Sequence, residues 1–136
     1  MIWQRVKMWV FSPSKQANLP NDVKANVTAK AKDIIDTVLK PKYVKPPAED
    51  KRFNYIVDIY SKWHRNYFYF CAKYACHGPN AISPYFEVKF ARLEYVGNNQ
   101  FNLAYMRHTE KWLELYTELF LVECLKAIRD EPHFLP

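Results

Sequence analysis

The spacing of apolar residues along this chain changes from a helical period to strict alternation and back again. Over Met1 to Phe11, Ile2, Trp3, Val6, Trp9 and Val10 recur at helical spacing, with Gln4, Arg5 and Lys7 opposite. Ser12 to Pro20 reads as a polar connector carrying prolines toward both ends. Asn21-Asp22 then opens the clearest helix: Asn21 is the expected N-cap, and the Asp22 carboxylate suits the positive end of the helix dipole. Val23, Val27, Ala31, Ile34, Ile35 and Val38 form one apolar stripe, which needs a partner surface. Lys40 precedes Pro41, a position that disfavours helix. The helix is therefore expected to stop there, with Pro41 to Pro47 extended in polyproline fashion.

Phe53 to Ser61 fits two templates. Phe53, Tyr55, Val57 and Ile59 alternate as in a strand, whereas Phe53, Ile56, Val57 and Tyr60 fit a helix; the content of rings and β-branched residues favours the strand. A turn near Ser61 to His64 leads into the most aromatic part of the chain, Lys62 to Tyr74. There Phe68, Phe70, Ala72 and Tyr74 alternate with Tyr67, Tyr69, Cys71 and Lys73, which predicts a central strand with one core face and one amphipathic face. His77-Gly78-Pro79-Asn80 and Ser83-Pro84 are breaks. Phe86, Val88 and Phe90 alternate, and then the apolar phase jumps to Ala91, Leu93 and Tyr95. One strand makes that jump only through a β-bulge, placed at Phe90-Ala91. Gly97-Asn98-Asn99 suits a tight hairpin, and Phe101, Leu103 and Tyr105 form the returning strand. Thr109-Glu110 turns the chain into a shorter strand with Leu113 and Leu115 inward. From about Glu118 the period is helical, with Leu121, Cys124, Leu125 and Ile128 on one face and Pro132 ending the run.

These elements predict an α+β domain of two layers: an N-terminal helix, an antiparallel meander of about five strands and a C-terminal helix. Residues 21–136 form the single domain and residues 1–20 an N-terminal extension. A chain of 136 residues, 49% hydrophobic and 17% aromatic, can bury a core without staples. Three cysteines cannot all pair with one another, which favours a reduced, cytoplasmic setting. No apolar run is long enough for a membrane span.

A group of segments also carries a family likeness. It comprises Arg65 to Cys76 and Gly78-Pro79-Asn80-Ala81-Ile82-Ser83-Pro84, then Phe90-Ala91-Arg92-Leu93-Glu94-Tyr95-Val96-Gly97 and Phe101-Asn102-Leu103-Ala104-Tyr105-Met106-Arg107-His108-Thr109. Together they resemble a family of small bacterial proteins known only as a domain of unknown function. The likeness runs from about Val23 to Ala127-Ile128-Arg129-Asp130-Glu131-Pro132 and leaves residues 1–20 outside. It implies a bacterial, cytoplasmic origin and supplies no catalytic residue. His77 stands where the family has proline after the second cysteine.

The chemistry-bearing residues point away from catalysis. Cys71, Cys76 and His77 lack the paired short spacing of a structural zinc site, and the cysteines of one strand five residues apart face opposite ways. No metal or other cofactor is expected. His64, His77, His108 and His133 have no metalloprotease spacing, and two glycines provide no phosphate-cradling loop. The Arg107-His108 turn, beside Thr109, Glu110 and Trp112, is the most enzyme-like cluster, where a histidine oriented by a carboxylate would act as a general base or line a small-molecule pocket. Glu87, Lys89, Arg92 and Glu94 read as a solvated charge row.

Three binding readings remain. The net charge of +6 comes from residues 1–52, which carry eleven Lys/Arg against five Asp/Glu. Lys62, Trp63, Arg65, Tyr67 and Lys73 interleave cations with rings, and Lys40, Lys42 and Lys45 would follow phosphates; together they outline a weak, non-specific nucleic-acid surface. Glu87, Glu94 and Glu114 on the same face oppose it. The leading expectation is a non-enzymatic interaction domain that forms a homodimer. Its contact surface would be Tyr67, Tyr69, Met106, Trp112 and Tyr116 on the outer sheet face, with Trp3 and Trp9 reaching the second subunit or the core. The intramolecular alternative is Met1 to Phe11 folding back over that face, and a third is a small apolar ligand held in the curl of the sheet.

Overall fold

In the computed structural model, residues 18–44, 54–76 and 83–136 are described. The predicted segments Met1 to Phe11 and Ser12 to Ala17, the end of the proline-rich link and the His77 to Asn80 break lie outside them. Helix α1 spans Asn21–Ile34. Asn21 is its first helical residue and not its cap: Pro20 holds the N-cap position in an extended conformation, and its carbonyl accepts the Lys24 N–H at 3.0 Å. Among the described residues no side chain caps this end, and Asp22 sits in the first turn where the dipole favours it.

The helix also runs past its expected stop. Ile35–Leu39 is π-helical, with the Lys40 N–H donating to the Ile35 carbonyl five residues back, and helix α2, Lys40–Tyr43, follows with Pro41 in its first turn. A proline inside a regular helix loses its own hydrogen bond and collides with the carbonyl four residues earlier. The wider turn ahead of Pro41 makes room for the ring and sets the proline at the start of a new segment, where it is tolerated. Val27, Ala31, Ile35 and Leu39, four residues apart in succession, are all buried by this run.

Five strands follow: β1 Tyr55–His64, β2 Tyr67–Ala75, β3 Tyr85–Gly97, β4 Gln100–Met106 and β5 Trp112–Phe120. They form one antiparallel sheet in the order β1-β2-β3-β4-β5, the meander expected from the alternation. Tyr55 to Ser61 is thus strand, and β1 extends through Lys62, Trp63 and His64. The turn is Arg65-Asn66, two residues further on, with Arg65 at a φ of 54°. The hairpin at Asn98-Asn99 places both residues at positive φ, 54° and 57°, beside Gly97 at 93°. Such a two-residue turn twists with its strands, and asparagine tolerates the left-handed region.

The bulge in β3 lies where the apolar phase jumps. Phe70 pairs with Ala91 and Cys71 with Lys89, so Phe90 is the extra residue. Phe90 and Ala91 both reach the core while Glu87, Lys89, Arg92 and Glu94 stay on the outer side. Strand β5 is longer than expected and bulges twice, since Ala104 pairs with Glu114 but Leu103 with Tyr116, and Phe101 with Leu119. Leu115 packs against the core, and Leu113 pairs with Tyr105 on the helix side as expected but, at the sheet edge, stays 39% exposed.

Helix α3, Leu121–Asp130, begins where Glu123 reaches back to accept the Phe120 N–H at 3.1 Å. Cys124, Leu125, Ala127 and Ile128 are its buried face. Both helices pack on the sheet side that carries Phe68, Phe70, Ala72, Leu93, Phe101 and Leu103. Phe134, in the short 3₁₀ turn Pro132–Phe134, closes the core, and Tyr74 donates to the Pro136 carbonyl at 2.9 Å. The result is the two-layer α+β fold that the period changes predict.

Candidate functional site

The side of the sheet away from the helices is where the alternation places its rings. The register brings Lys62 of β1 beside Tyr69 of β2, Tyr69 beside Arg92 of β3, Arg92 beside Ala104 of β4, and Ala104 beside Glu114 of β5. This single row crosses all five strands. Tyr67 and Tyr69 have ring centres 6.2 Å apart, and the Trp112 ring lies 5.8 Å from Tyr69. The Arg92 guanidinium lies between two of these rings, 4.8 Å from Tyr67 and 5.0 Å from Trp112, and Lys89 Nζ stands 4.9 Å over Tyr69. Arginine stacks on aromatic faces because its planar cation meets the negative π-face and is only weakly hydrated. Arg92 Nε is buried and has no hydrogen-bond partner among the described residues.

A polar network borders the rings. Glu87 accepts from Lys62 Nζ at 2.7 Å and from the Tyr60 hydroxyl. The Lys62 hydrogen bond, and after it the Tyr60 one, holds the Glu87 carboxyl below its ordinary value; the same Glu87 contact raises Lys62. Tyr60 is raised by burial first and then by Glu87. Glu114 moves the other way: partial burial and the nearby Glu94 carboxylate push it up, against the pull of Arg92. Cys71, buried beneath this face, is pushed up to about 11 by burial.

The structure separates the candidate interface residues into those it assembles and those it does not. Tyr67, Tyr69 and Trp112 form the ring cluster, and Met106 pairs with Trp112 at its margin. Tyr116 is on the other side. The bulge at Leu115 reverses the alternation, so the Tyr116 hydroxyl donates to Glu131 beyond α3, at 2.9 Å. Trp3 and Trp9 lie outside the described residues.

The nucleic-acid candidates do not share one surface. Trp63 faces the helices: its ring packs 4.9 Å from Phe68, and its Nε1–H donates to Thr28 on α1 at 2.9 Å. Lys40 spans Asp36 at 3.6 Å and Asp58 at 3.3 Å, Lys42 lies over Tyr43, and Lys62 is paired with Glu87. Arg65 is exposed in its turn, and Lys73 sits 4.4 Å over Tyr85. Tyr67 lies under Arg92, and Lys45 is outside the described residues. His108 is exposed in the short loop that the Arg107 N–H closes onto the Lys111 carbonyl at 2.9 Å. Cys71 and Cys124 are buried free thiols, Cys76 is half-buried, and His77 is not among the described residues.

Arg92 is the residue that sequence reasoning misses, since alternation alone puts it in a solvated charge row. The signal was available in the bulge: once Phe90 is counted as extra, Arg92 falls opposite Tyr69.

One family model, Domain of unknown function (DUF3024), matches residues 19–136. The chain belongs to that family. The DUF3024 match spans the helical layer and the whole sheet, including every ring of the outer cluster, and it leaves Trp3 and Trp9 outside. No curated protein and no solved structure matches the chain. No described helix is long and apolar enough to cross a membrane.

Proposed function

We propose that this DUF3024 chain is a non-enzymatic interaction domain that pairs with a second copy of itself through the outer face of its sheet. The observation that carries this reading is the Tyr67–Arg92–Trp112 stack, with Tyr69 beside it, on the face opposite the helices. Tyrosine, tryptophan and arginine are the residues that most often dominate binding energy at interfaces, above all where rings are rigid and the cation already partly desolvated.

The charge on this face supports a second copy over a nucleic acid. Lys62, Lys73, Lys89 and Arg92 are matched by Asp58, Glu87, Glu94 and Glu114 on the same rows. A phosphate backbone would meet as many anions as cations. Two copies related by a two-fold axis can set each cation against the other's carboxylate, because such an interface is self-complementary by construction.

Sedimentation equilibrium on the full chain tests the proposal. The wild type is expected to dimerise in the tens of micromolar, and Trp112→Ala and Arg92→Glu to weaken the dimer at least tenfold while circular dichroism stays native. A wild-type chain that remains monomeric at several hundred micromolar overturns it, as does a dimer untouched by both substitutions.

A further inference from the structure

A groove of about 430 Å³ lies between α1 and α3, on the opposite side of the molecule from the ring cluster. Its apolar surface comes from Ile34 on α1 and from Leu121, Val122 and Leu125 on α3. Only part of this surface is needed by the core. Leu125 is buried, but Val122 is 73% exposed, and the neighbouring Phe120 is 53% exposed. A helix whose inward face is already complete with Cys124, Leu125, Ala127 and Ile128 thus carries further apolar side chains, Leu121 and above all Val122, at a cleft.

The polar groups of the groove are not spread evenly. The apolar residues of α3 occupy its first half, and Lys126 and Arg129 line the groove from its second half. Lys30 of α1 adds a third cation, Asp33 is the acid in the lining, and Arg129 is held by Asp130 at 2.8 Å. Along one helix the lining changes from apolar to cationic. That is the complement of a molecule with a hydrocarbon tail and an anionic head. The volume falls in the range typical of small-ligand sites.

From this polarity we infer that the groove between α1 and α3 binds a single-chain carboxylate amphiphile, its tail over Leu121, Val122 and Leu125 and its carboxylate at Lys126 and Arg129. Lysine and arginine give carboxylates charge-assisted hydrogen bonds, and the tail adds non-directional burial. The inference does not depend on self-association, since the groove and the outer sheet face share no residue.

The test is a titration of the full-length protein, followed by amide chemical shifts, with octanoate, decanoate and decyltrimethylammonium below their micelle concentrations. Saturable shifts are expected in α1 and α3. Decanoate should bind about tenfold tighter than octanoate, because each buried methylene contributes roughly three- to fourfold. The cationic analogue should bind at least fivefold more weakly than decanoate. The double change Lys126→Glu with Arg129→Glu should reverse that preference, and Val122→Asp, at an exposed position, should abolish binding without altering the native spectrum elsewhere. Equal affinity for the two head groups overturns the inference. So does the absence of saturation at millimolar decanoate, or shifts centred on the outer sheet face.

Discussion

At the scale of single residues, the outer face depends on how Arg65 and Arg92 are held. Arg65 adopts a φ of 54° in a two-residue hairpin where glycine would be free of strain. Replacing it, Arg65→Gly, is expected to raise stability by about 0.5–1 kcal/mol in urea unfolding, the relief of a left-handed side chain offset by a more flexible unfolded chain. The nucleic-acid reading places Arg65 among the cations interleaved with rings; the turn gives it a conformational cost. Arg92 shows why individual contacts were harder to foresee than strands. Its place between Tyr67 and Trp112 needs the register of three strands at once, and a single residue of slip would turn it into the core. Trp63 is a similar case. Its face follows from its pairing with the core residue Phe68, and on that side its Nε1–H reaches Thr28, thirty-five positions earlier.

At the scale of elements, the phase of apolar residues was sufficient in β3, where it broke within a single strand. Phe90 followed by Ala91 cannot both be inward without a bulge, and the bulge is there. Asn98-Asn99 could be read because the turn demands residues that accept positive φ. The breaks in β5 were hidden, since Leu113, Leu115 and Leu119 also fit an unbroken strand passing into a helix. The π turn was hidden for a different reason. Local rules place a helix end at Lys40, and the packing of Tyr43 against the core rewards continuing to it. If that turn already accommodates the ring, Pro41→Ala should change stability by less than about 1 kcal/mol, well short of the ~3 kcal/mol of a proline in an ordinary helix interior. Urea denaturation of the two chains measures the difference; a gain near the full value would show that the ring is strained.

At the scale of the whole molecule, the core acids make alkali the vulnerable direction. Burial pushes Cys71 up to about 11 and Cys124 to about 12, and it also raises Tyr69 and Tyr74. These groups hold their protons more tightly when folded. Their contribution is complete below the unfolded-state values, 9.0 for the thiols and 10.0 for the phenols, and is lost as pH rises through the folded ones. The urea midpoint should therefore fall steadily from pH 9 to pH 11. At pH 8 a thiol reagent should label Cys76 in the native protein and reach Cys71 and Cys124 only after unfolding. Rapid native labelling of all three cysteines would contradict the buried placement. The two-layer plan itself was readable from the changes of period, whereas the side on which Tyr116 and Trp63 lie was not, because a bulge sets the first and the extension of β1 past Ser61 the second.

The order β1-β2-β3-β4-β5 has a kinetic meaning. Every strand pairs with its immediate successor, so the chain never has to close a long loop before a pairing can reward it. Assembly can travel outward from whichever hairpin forms first, with α1 and α3 docking once a ribbon of rings exists to receive them. For a protein so rich in β-structure, refolding should run nearer the millisecond end of the roughly millisecond-to-second range of sheet proteins.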